Sequence, residues 1–294
     1  KNLGHKIFIN QKNIINPDVI IFSKSIDLDF CKSIINNNKK TLIGIINPNY
    51  TTVKKKFINF GIVGSVIEND YYSQFIPCIT FPLIEKIPKN IKIKKNKKII
   101  ICYHGNKVHL ENLSSNFINA LNRICLNHNV IFKCIYDINN LGLWNSRKLK
   151  CEVEHVQWKR RSWITHIASS DIGIVPGLIY SNNNLSLKNF KKEYNLVLKF
   201  KNTTNAGRSF IFHQLKVPVI GDFSPTNFEI LSNPNNGFLA NSEHSWYDAL
   251  NTLCNSKKYR KFISNNAYKD FSMKYNPNTW GKKFIGELEN LISK

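Results

Sequence analysis

Short, nearly continuous apolar runs alternate with segments whose apolar residues recur every three or four positions. In the first part of the chain the runs are HKIFI (5–9), DVIIF (18–22), TLIGII (41–46), FGIVGS (60–65) and CITFPLI (78–84). They are rich in β-branched residues and lack polar alternation, the pattern of strands covered on both faces. Short helical segments fall between them, DLDFCKSIIN (27–36) being the clearest. This pattern predicts a small α/β unit with parallel pairing.

A Pro- and Lys-rich connection follows, IEKIPKNIKIKKNKK, whose run KIKKNKK (92–98) reads as a solvated linker. It predicts a boundary there, with one domain over 1–92 and a second over 93–276. The second α/β unit is clearer. KIIICYHG (98–105), VIFKCIYD (130–137), CEVEHVQW (151–158), DIGIVPG (171–177) and GFLANS (237–242) read as strands. Residues 109–128 place Leu110, Leu113, Phe117, Ala120, Leu121 and Ile124 at helical spacing. RSWITHIASS (161–170) reads as a short helix and 180–197 as a polar surface loop. Residues 243–276 form a helical stretch that Pro277 breaks, and 278–293 a last helix.

Composition narrows the function classes. With 294 residues and 42% apolar content the chain can bury a substantial core. No apolar run reaches the ~18 residues of a membrane span, and no signal-peptide core opens the chain. The formal charge of +23 fits a polyanion partner. It equally fits the Asn-, Ile- and Lys-rich composition that an AT-rich genome imposes, because the lysines are spread along the chain. Seven cysteines, an odd number without any CxxC, support neither a disulfide framework nor a zinc site. They are expected to be small core residues in a reducing cytoplasm. The eight histidines form no metal-binding spacing, so no metal and no cofactor are expected.

The segment KFKNTTNAGRSFIFHQLKVPVIGDFSP (199–225) passes from a basic loop into an apolar helix and then a short strand. Such a passage offers backbone N–H groups and cations to an anion at a helix N-terminus. Arg208 opens the helix and can grip phosphate oxygens bidentately. Lys199 and Lys201 precede it, Asn205 and Gly207 supply a turn, and Ser209 follows Arg208. The alternative is a solvated basic loop that caps a helix. Gly105, Asn106 and Lys107 follow the first strand of the second unit, where doubly wound sheets bind ligands. The alternative there is a strand-ending glycine and an asparagine N-cap. His104 and His109 stand nearby as structural or ionisable groups, and Asp171 reads as structural.

The stretches DIGIVPG (171–177), GRSFIFHQLKVPVIGD (207–222), the E-I-L and N-G-F-L of 229–239, and 243–275 together resemble glycosyltransferases of the GT-B fold. The resemblance is to bacterial family-4-like enzymes of surface polysaccharide assembly, and covers roughly residues 98–290. It implies an α/β architecture of two Rossmann-like, doubly wound domains facing a cleft, with the terminal helix (277–294) returning to the N-terminal domain. It also implies that residues 3–9 are the second strand of an incomplete N-terminal domain, its first strand and Gly-rich loop absent. The implied function is transfer of a sugar from a nucleotide-diphosphate donor to a saccharide or lipid-linked acceptor. The donor would be held by Gly105, Asn106, Lys107, Lys199, Lys201, Asn205, Arg208, Ser209 and Glu229.

Glu229 would lie near the ribose or the sugar, or else be a carboxylate favoured by a helix N-terminus. Thr203 and Ile211 stand where many members carry a Glu-x7-Glu pair, so a retaining or inverting outcome stays open. Asp27, Asp29, Glu68 and Asp70 are candidates for a general base in the first domain. A cytoplasmic location is expected, with the basic surface near anionic membrane lipid and no nucleic acid bound. A nucleotide-sugar epimerase of the same fold and a non-enzymatic polyanion or nucleic-acid binder are the alternatives; the first needs a carboxylate pair that 199–225 lacks.

Overall fold

The computed structural model describes residues 6–9, 16–23, 27–38, 40–48, 55–82, 84–88, 91, 97–178, 194–195, 200–201, 207–231 and 234–293. The chain divides into two compact units, Lys1–Leu83 with Asn276–Lys294, and Ile84–Tyr275. The expected boundary at 92/93 and the expected turn at 276/277 compare with these limits.

The first unit contains β1 (Val19–Phe22), α1 (Leu28–Asn37), β2 (Leu42–Ile46), β3 (Phe60–Val63), α2 (Val66–Tyr72) and β4 (Cys78–Thr80). The strands pair in the order β1-β2-β3-β4, all parallel. Both faces are covered, which is why these strands lack polar alternation. On one face Ile43, Ile45 and Val63 pack with Cys31 and Tyr72. On the other, Phe60, Ile62 and Ile79 pack with Phe81 and with Phe284, Leu288 and Leu291 of the terminal helix Pro277–Ile292. Gly44 makes room for this second layer, since a Cβ there would lie 2.2 Å from Phe60 Cζ. Asp27 and Ser65 cap α1 and α2, accepting from the Phe30 N–H at 3.0 Å and the Glu68 N–H at 3.2 Å. The buried Glu68 carboxylate accepts from the Gly64 N–H at 2.9 Å. Asp27 and Glu68, candidate bases in the sequence, thus serve helix starts.

The expected strand over 5–9 is not formed by its described residues. Residues 6–9 carry no strand, and Ile7, Phe8 and Ile9 are exposed. An apolar run becomes a strand only where a neighbour takes its hydrogen bonds, and among the described residues β1 pairs with β2 alone.

The second unit begins with β5 (Ile99–His104), α3 (Lys107–Glu111), α4 (Ser115–Asn127), β6 (Val130–Tyr136), α5 (Ile138–Leu141), β7 (Glu152–Gln157), α6 (Trp163–Ala168) and β8 (Ile172–Val175). It continues with the two-residue strands β9 (Tyr194–Asn195) and β10 (Phe200–Lys201), then α7 (Gly207–Gln214), β11 (Val219–Gly221), α8 (Pro225–Ile230) and β12 (Phe238–Leu239). The last helices are α9 (Glu243–Asn255), α10 (Lys257–Lys274) and, back in the first unit, α11 (Pro277–Ile292). Six strands form a parallel sheet in the order β12-β11-β8-β5-β6-β7. Counted along the chain this is the 3-2-1-4-5-6 order of a dinucleotide-binding fold.

The expected single helix over 109–128 is two, because Ser114 caps α4 by accepting from the Phe117 N–H at 3.2 Å. Ser256 divides 243–276 in the same way, accepting from the Tyr259 N–H at 3.1 Å. Tyr194–Asn195, inside the expected 180–197 loop, pair antiparallel with β10; the rest of that segment lies outside the described residues.

Each face of this sheet carries its own core. Ile101, Tyr103, Phe132 and Ile174 pack beneath α4 and α9 through Phe117, Leu121, Trp246 and Leu250. Cys102, Ile135, Val175 and Val219 pack beneath α6, α7 and α10 through Trp163, Phe210, Phe212 and Phe271. Two of the charged groups that reach into the second unit's interior are paired. Lys133, 5% exposed, meets Glu154 at 3.2 Å. Asp171 meets Arg260 at 3.3 Å and accepts from the Ile100 N–H at 3.0 Å.

Helix α7 lies against β8 because Gly173 has no side chain: a Cβ there would sit 2.6 Å from Phe212 Cδ1. Replacing Gly173 by Ala is therefore expected to destabilise the protein by about 1–3 kcal/mol. Urea unfolding checks this, and Phe212→Leu in the same chain should recover part of the loss. His104 and His213 are buried in this layer at 6% and 1% exposure. Burial pushes their pKa values down from 6.5 to about 3 and about 4. The unfolded chain then binds the protons first, so their contribution is present above pH 6.5 and is lost as pH falls towards those values. His213→Gln should flatten the dependence of unfolding free energy on pH by up to about 1.4 kcal/mol per pH unit, measured between about pH 7 and about pH 5.

Candidate functional site

In a sheet of this order, ligands bind beyond the carboxyl ends of the strands where the strand order reverses. The reversal falls between β5 and β8. Beyond β5 the chain turns at Gly105, whose φ of +140° only glycine adopts without strain. A Cβ on Gly105 would lie 2.9 Å from the Tyr103 hydroxyl and 3.1 Å from Arg208 Cδ. Beyond β8 comes Pro176, whose carbonyl accepts from Arg208 Nη1 at 3.1 Å. Arg208, in the first turn of α7, therefore touches the ends of both strands that flank the reversal.

The surroundings fix that side chain. Its guanidinium carbon lies 5.9 Å from the centroid of the Tyr103 ring, within cation–π reach. The Tyr103 hydroxyl donates to the Asn106 carbonyl at 2.6 Å, and burial pushes its pKa up. His104 Nε2 stands 3.4 Å from the Arg208 carbonyl. A carbonyl can only accept, so the Nε2 tautomer carries the proton. The ring packs edge-on to Phe212, with centroids 4.9 Å apart, and beside Trp163 at 5.9 Å. Burial, then the Arg208 charge, hold His104 neutral. It positions the backbone of α7 rather than exchanging protons at neutral pH.

A buried carboxylate organises the next loops. Asp222 Oδ2 accepts from the Leu178 N–H at 2.6 Å, and Oδ1 from the Ser224 N–H at 3.3 Å and Asn227 Nδ2 at 3.0 Å. The same Asn227 amide group donates to the Val175 carbonyl at 3.1 Å and the Asp222 carbonyl at 3.0 Å. Burial raises the Asp222 pKa, while these N–H groups and the Arg208 charge oppose that rise. The turn after β8 and the turn after β11 are thus clasped together. Gly177 permits it, since a Cβ there would meet Ser224 Oγ at 2.7 Å.

The residues singled out in the sequence divide by place. Gly105 and Arg208 are in contact range of each other, and Asn106 is joined to them through Tyr103. The Asn106 side chain caps α3, accepting from the Val108 N–H at 3.0 Å. Lys107 points to α5, donating to the Leu141 carbonyl at 2.8 Å and pairing with Glu111 at 3.2 Å. Ser209 is 0% exposed and its hydroxyl has no hydrogen-bond partner among the described residues, so it lies below the surface that a ligand would touch. Glu229 is exposed in the last turn of α8, not near its start, so the expectation of a favourable N-terminal dipole does not apply. Burial pushes the Tyr275 phenol up to about 12, and the Glu229 charge adds to that. Lys201 lies in β10, while Lys199 and Asn205 lie outside the described residues. Ile211, at one Glu-x7-Glu position, is a core side chain, and Thr203 lies outside the described residues.

Sequence reasoning missed Tyr103, the Pro176 carbonyl, Asp222 and Asn227. The signal for Asp222 was present: a lone acid ending an apolar strand in a chain with few acids. Among the described residues no group of three or more His, Cys, Asp or Glu is placed to hold a metal, and no helix is long and apolar enough to cross a membrane.

No family model and no curated protein matches the chain. Similar solved structures exist at low identity. A mutant of S. aureus TarM in complex with Fondaparinux, alpha-GlcNAc-glycerol and UDP aligns with a TM-score of 0.60 and 12% identity over 88% of this chain. The chain spans only 52% of that TarM chain, about half its length. Anabaena HepE in complex with UDP-glucose aligns with a TM-score of 0.58 and 12% identity over 93% of this chain and 79% of its own. A UDP-forming alpha,alpha-trehalose-phosphate synthase of Burkholderia xenovorans aligns with a TM-score of 0.56 and 11% identity over 93% of this chain and 74% of its own. With its two parallel sheets, this chain has the fold of these GT-B glycosyltransferases.

Proposed function

We propose that the protein is a glycosyltransferase that takes a sugar from a nucleoside-diphosphate donor and passes it to a saccharide or lipid-linked acceptor. The observation that carries this reading is Arg208, held between the ends of β5 and β8 at the strand-order reversal. The similar structures with UDP or UDP-glucose support a nucleotide-sugar as the donor class.

As the glycosidic bond breaks, negative charge gathers on the departing diphosphate. A fixed cation whose position is already set stabilises that charge without reorganisation. A guanidinium has five N–H donors, so the bond to Pro176 leaves donors for phosphate oxygens. The start of α7 adds its helix dipole. Gly105, without a side chain, lets a ligand approach the strand end beside Arg208. In this reading Asn106 contributes backbone rather than its capping side chain, and Lys107 adds positive potential from its place against α5. Lys199, Lys201 and Asn205 belong to the segment that enters α7 and are proposed donor contacts, as is Glu229. The reaction needs no metal when arginine and amide dipoles supply the charge. The acceptor base is sought among Asp29 and Asp70, because Asp27 caps α1 and the buried Glu68 carboxylate is engaged by the Gly64 N–H at the start of α2.

A role in surface polysaccharide assembly, at the cytoplasmic face of a membrane, accords with the +23 formal charge. Sedimentation with vesicles should then rise with anionic lipid content and fall with salt; equal binding to neutral vesicles would remove the membrane from this reading. For the donor site, a thermal-shift screen of nucleoside diphosphates and nucleotide-sugars should give stabilisation by one base class. Arg208→Ala should abolish that shift and lower kcat/KM by about 10²-fold or more. Arg208→Lys should recover charge but not the planar fork, and so only part of the activity. Equal stabilisation of wild type and Arg208→Ala would remove Arg208 from the donor site.

A further inference from the structure

At the amino ends of β5, β6 and β7, away from the strand ends that hold Arg208, an open cavity of about 480 Å³ is lined by Lys98, Cys125, His128, Lys150, Cys151 and Glu152, among others. Two free thiols face it. Cys125 lies in the last turn of α4, and Cys151 immediately precedes β7. Both are half-buried and line the same cavity, and each side chain is close enough to perturb the other's ionisation. Nothing in the proposed sugar transfer uses them.

The pair is chemically unequal. The Cys125 S–H donates to the Leu121 carbonyl at 2.9 Å, with the Cys151 side chain beside it. The neighbouring Cys125 side chain, then backbone N–H groups of Cys151 and Phe132, lower the Cys151 pKa against the opposing effect of burial. Cys125 is pushed the other way, by its Cys151 neighbour and by burial. The remaining thiols are poor competitors. Cys31, Cys102, Cys134 and Cys254 are buried, and burial raises Cys78 to about 11. A thiol with a lowered pKa beside a second thiol, at the wall of an open cavity, is an arrangement suited to disulfide exchange. The cavity is also of the size that takes a small molecule. Lys98 pairs with Glu152 across it, and Lys150 adds a second cation to that single carboxylate.

We propose that this cavity is a redox site, in which Cys151 and Cys125 exchange with a small anionic disulfide and close into an intramolecular disulfide. The Cys151 thiolate attacks one sulfur of the disulfide RS–SR. The S–S bond breaks, one RS⁻ leaves and takes a proton from solvent, and a Cys151 mixed disulfide remains. Cys125 then gives up its proton and attacks the Cys151 sulfur, releasing the second RS⁻. The two protein thiols are oxidised and the small disulfide is reduced to two thiols. The bond joins the end of α4 to the start of β7 and encloses the intervening chain with β6 and α5.

The test treats folded wild-type protein with oxidised glutathione, followed by intact-mass measurement and peptide mapping under non-reducing conditions. The expected product is lighter by two hydrogens and carries a Cys125–Cys151 bridge. Cys125→Ser should stop at a stable glutathione adduct on Cys151, and Cys151→Ser should give neither adduct nor bridge. The cationic disulfide cystamine should react several-fold more slowly than oxidised glutathione. Wild-type thiols that stay reduced, a bridge between other cysteines, or an adduct on Cys125 in the wild type would each overturn the site. A cystamine rate equal to or above that of oxidised glutathione would overturn the assignment of an anionic ligand. The wild-type mapping decides the matter even if a serine variant folds poorly.

Discussion

Where Phe212 meets Gly173, helix and sheet approach until no carbon atom fits between them. That contact sets how far α7 lies from β8, and with it the height at which Arg208 leaves the helix. Its neighbours then follow. The Pro176 carbonyl takes one guanidinium nitrogen, Tyr103 lies under the charge, and Gly105 leaves the side of the arginine uncovered. His104 holds the Arg208 carbonyl from below, packed between Phe212 and Trp163. A close-packed interior transmits small displacements rather than absorbing them, so a side chain in the core governs the position of a charge at the surface.

The sheet carries different chemistry at its two edges. At the carboxyl ends the groups are a guanidinium, a neutral imidazole and a buried carboxylate whose hydrogen bonds are spent on backbone and amide donors. Asp222 is therefore a brace for two turns, and its charge faces Arg208 without a direct ion pair among the described contacts. At the amino ends the groups are thiols and lysines around a cavity. Each edge is built from residues that the parallel strands bring side by side from distant places in the chain.

The fold was largely legible because buried parallel strands leave an unmistakable record: continuous β-branched runs separated by amphipathic helices. IIICYH and VIFKCIY are strands for the reason their composition gives. Residues 6–9 misled because an apolar run does not say whether a partner strand is present to receive it. The site was legible only where backbone chemistry and charge coincide in sequence, as at Gly105 and Arg208. Ser209 looked like a ligand contact through its neighbour, but helical rotation turns successive residues by about 100° and carries it into the core. Lys107 and Asn106 are spent on α5 and α3, partnerships that local sequence does not display. Tyr103 and Asn227 could not be found because their roles depend on strand ends that pairing, not proximity in sequence, brings together.

The first unit also has an unusual assembly history. Its four strands come from the first eighty or so residues, yet one layer of its core is completed by Phe284, Leu288 and Leu291. During synthesis the whole of the intervening unit emerges before those three side chains do. This sheet is thus sealed only after the intervening unit has been made, with Phe60, Ile62 and Ile79 lacking that layer in the interim. Loss of α11 would leave that layer of the core without Phe284, Leu288 and Leu291.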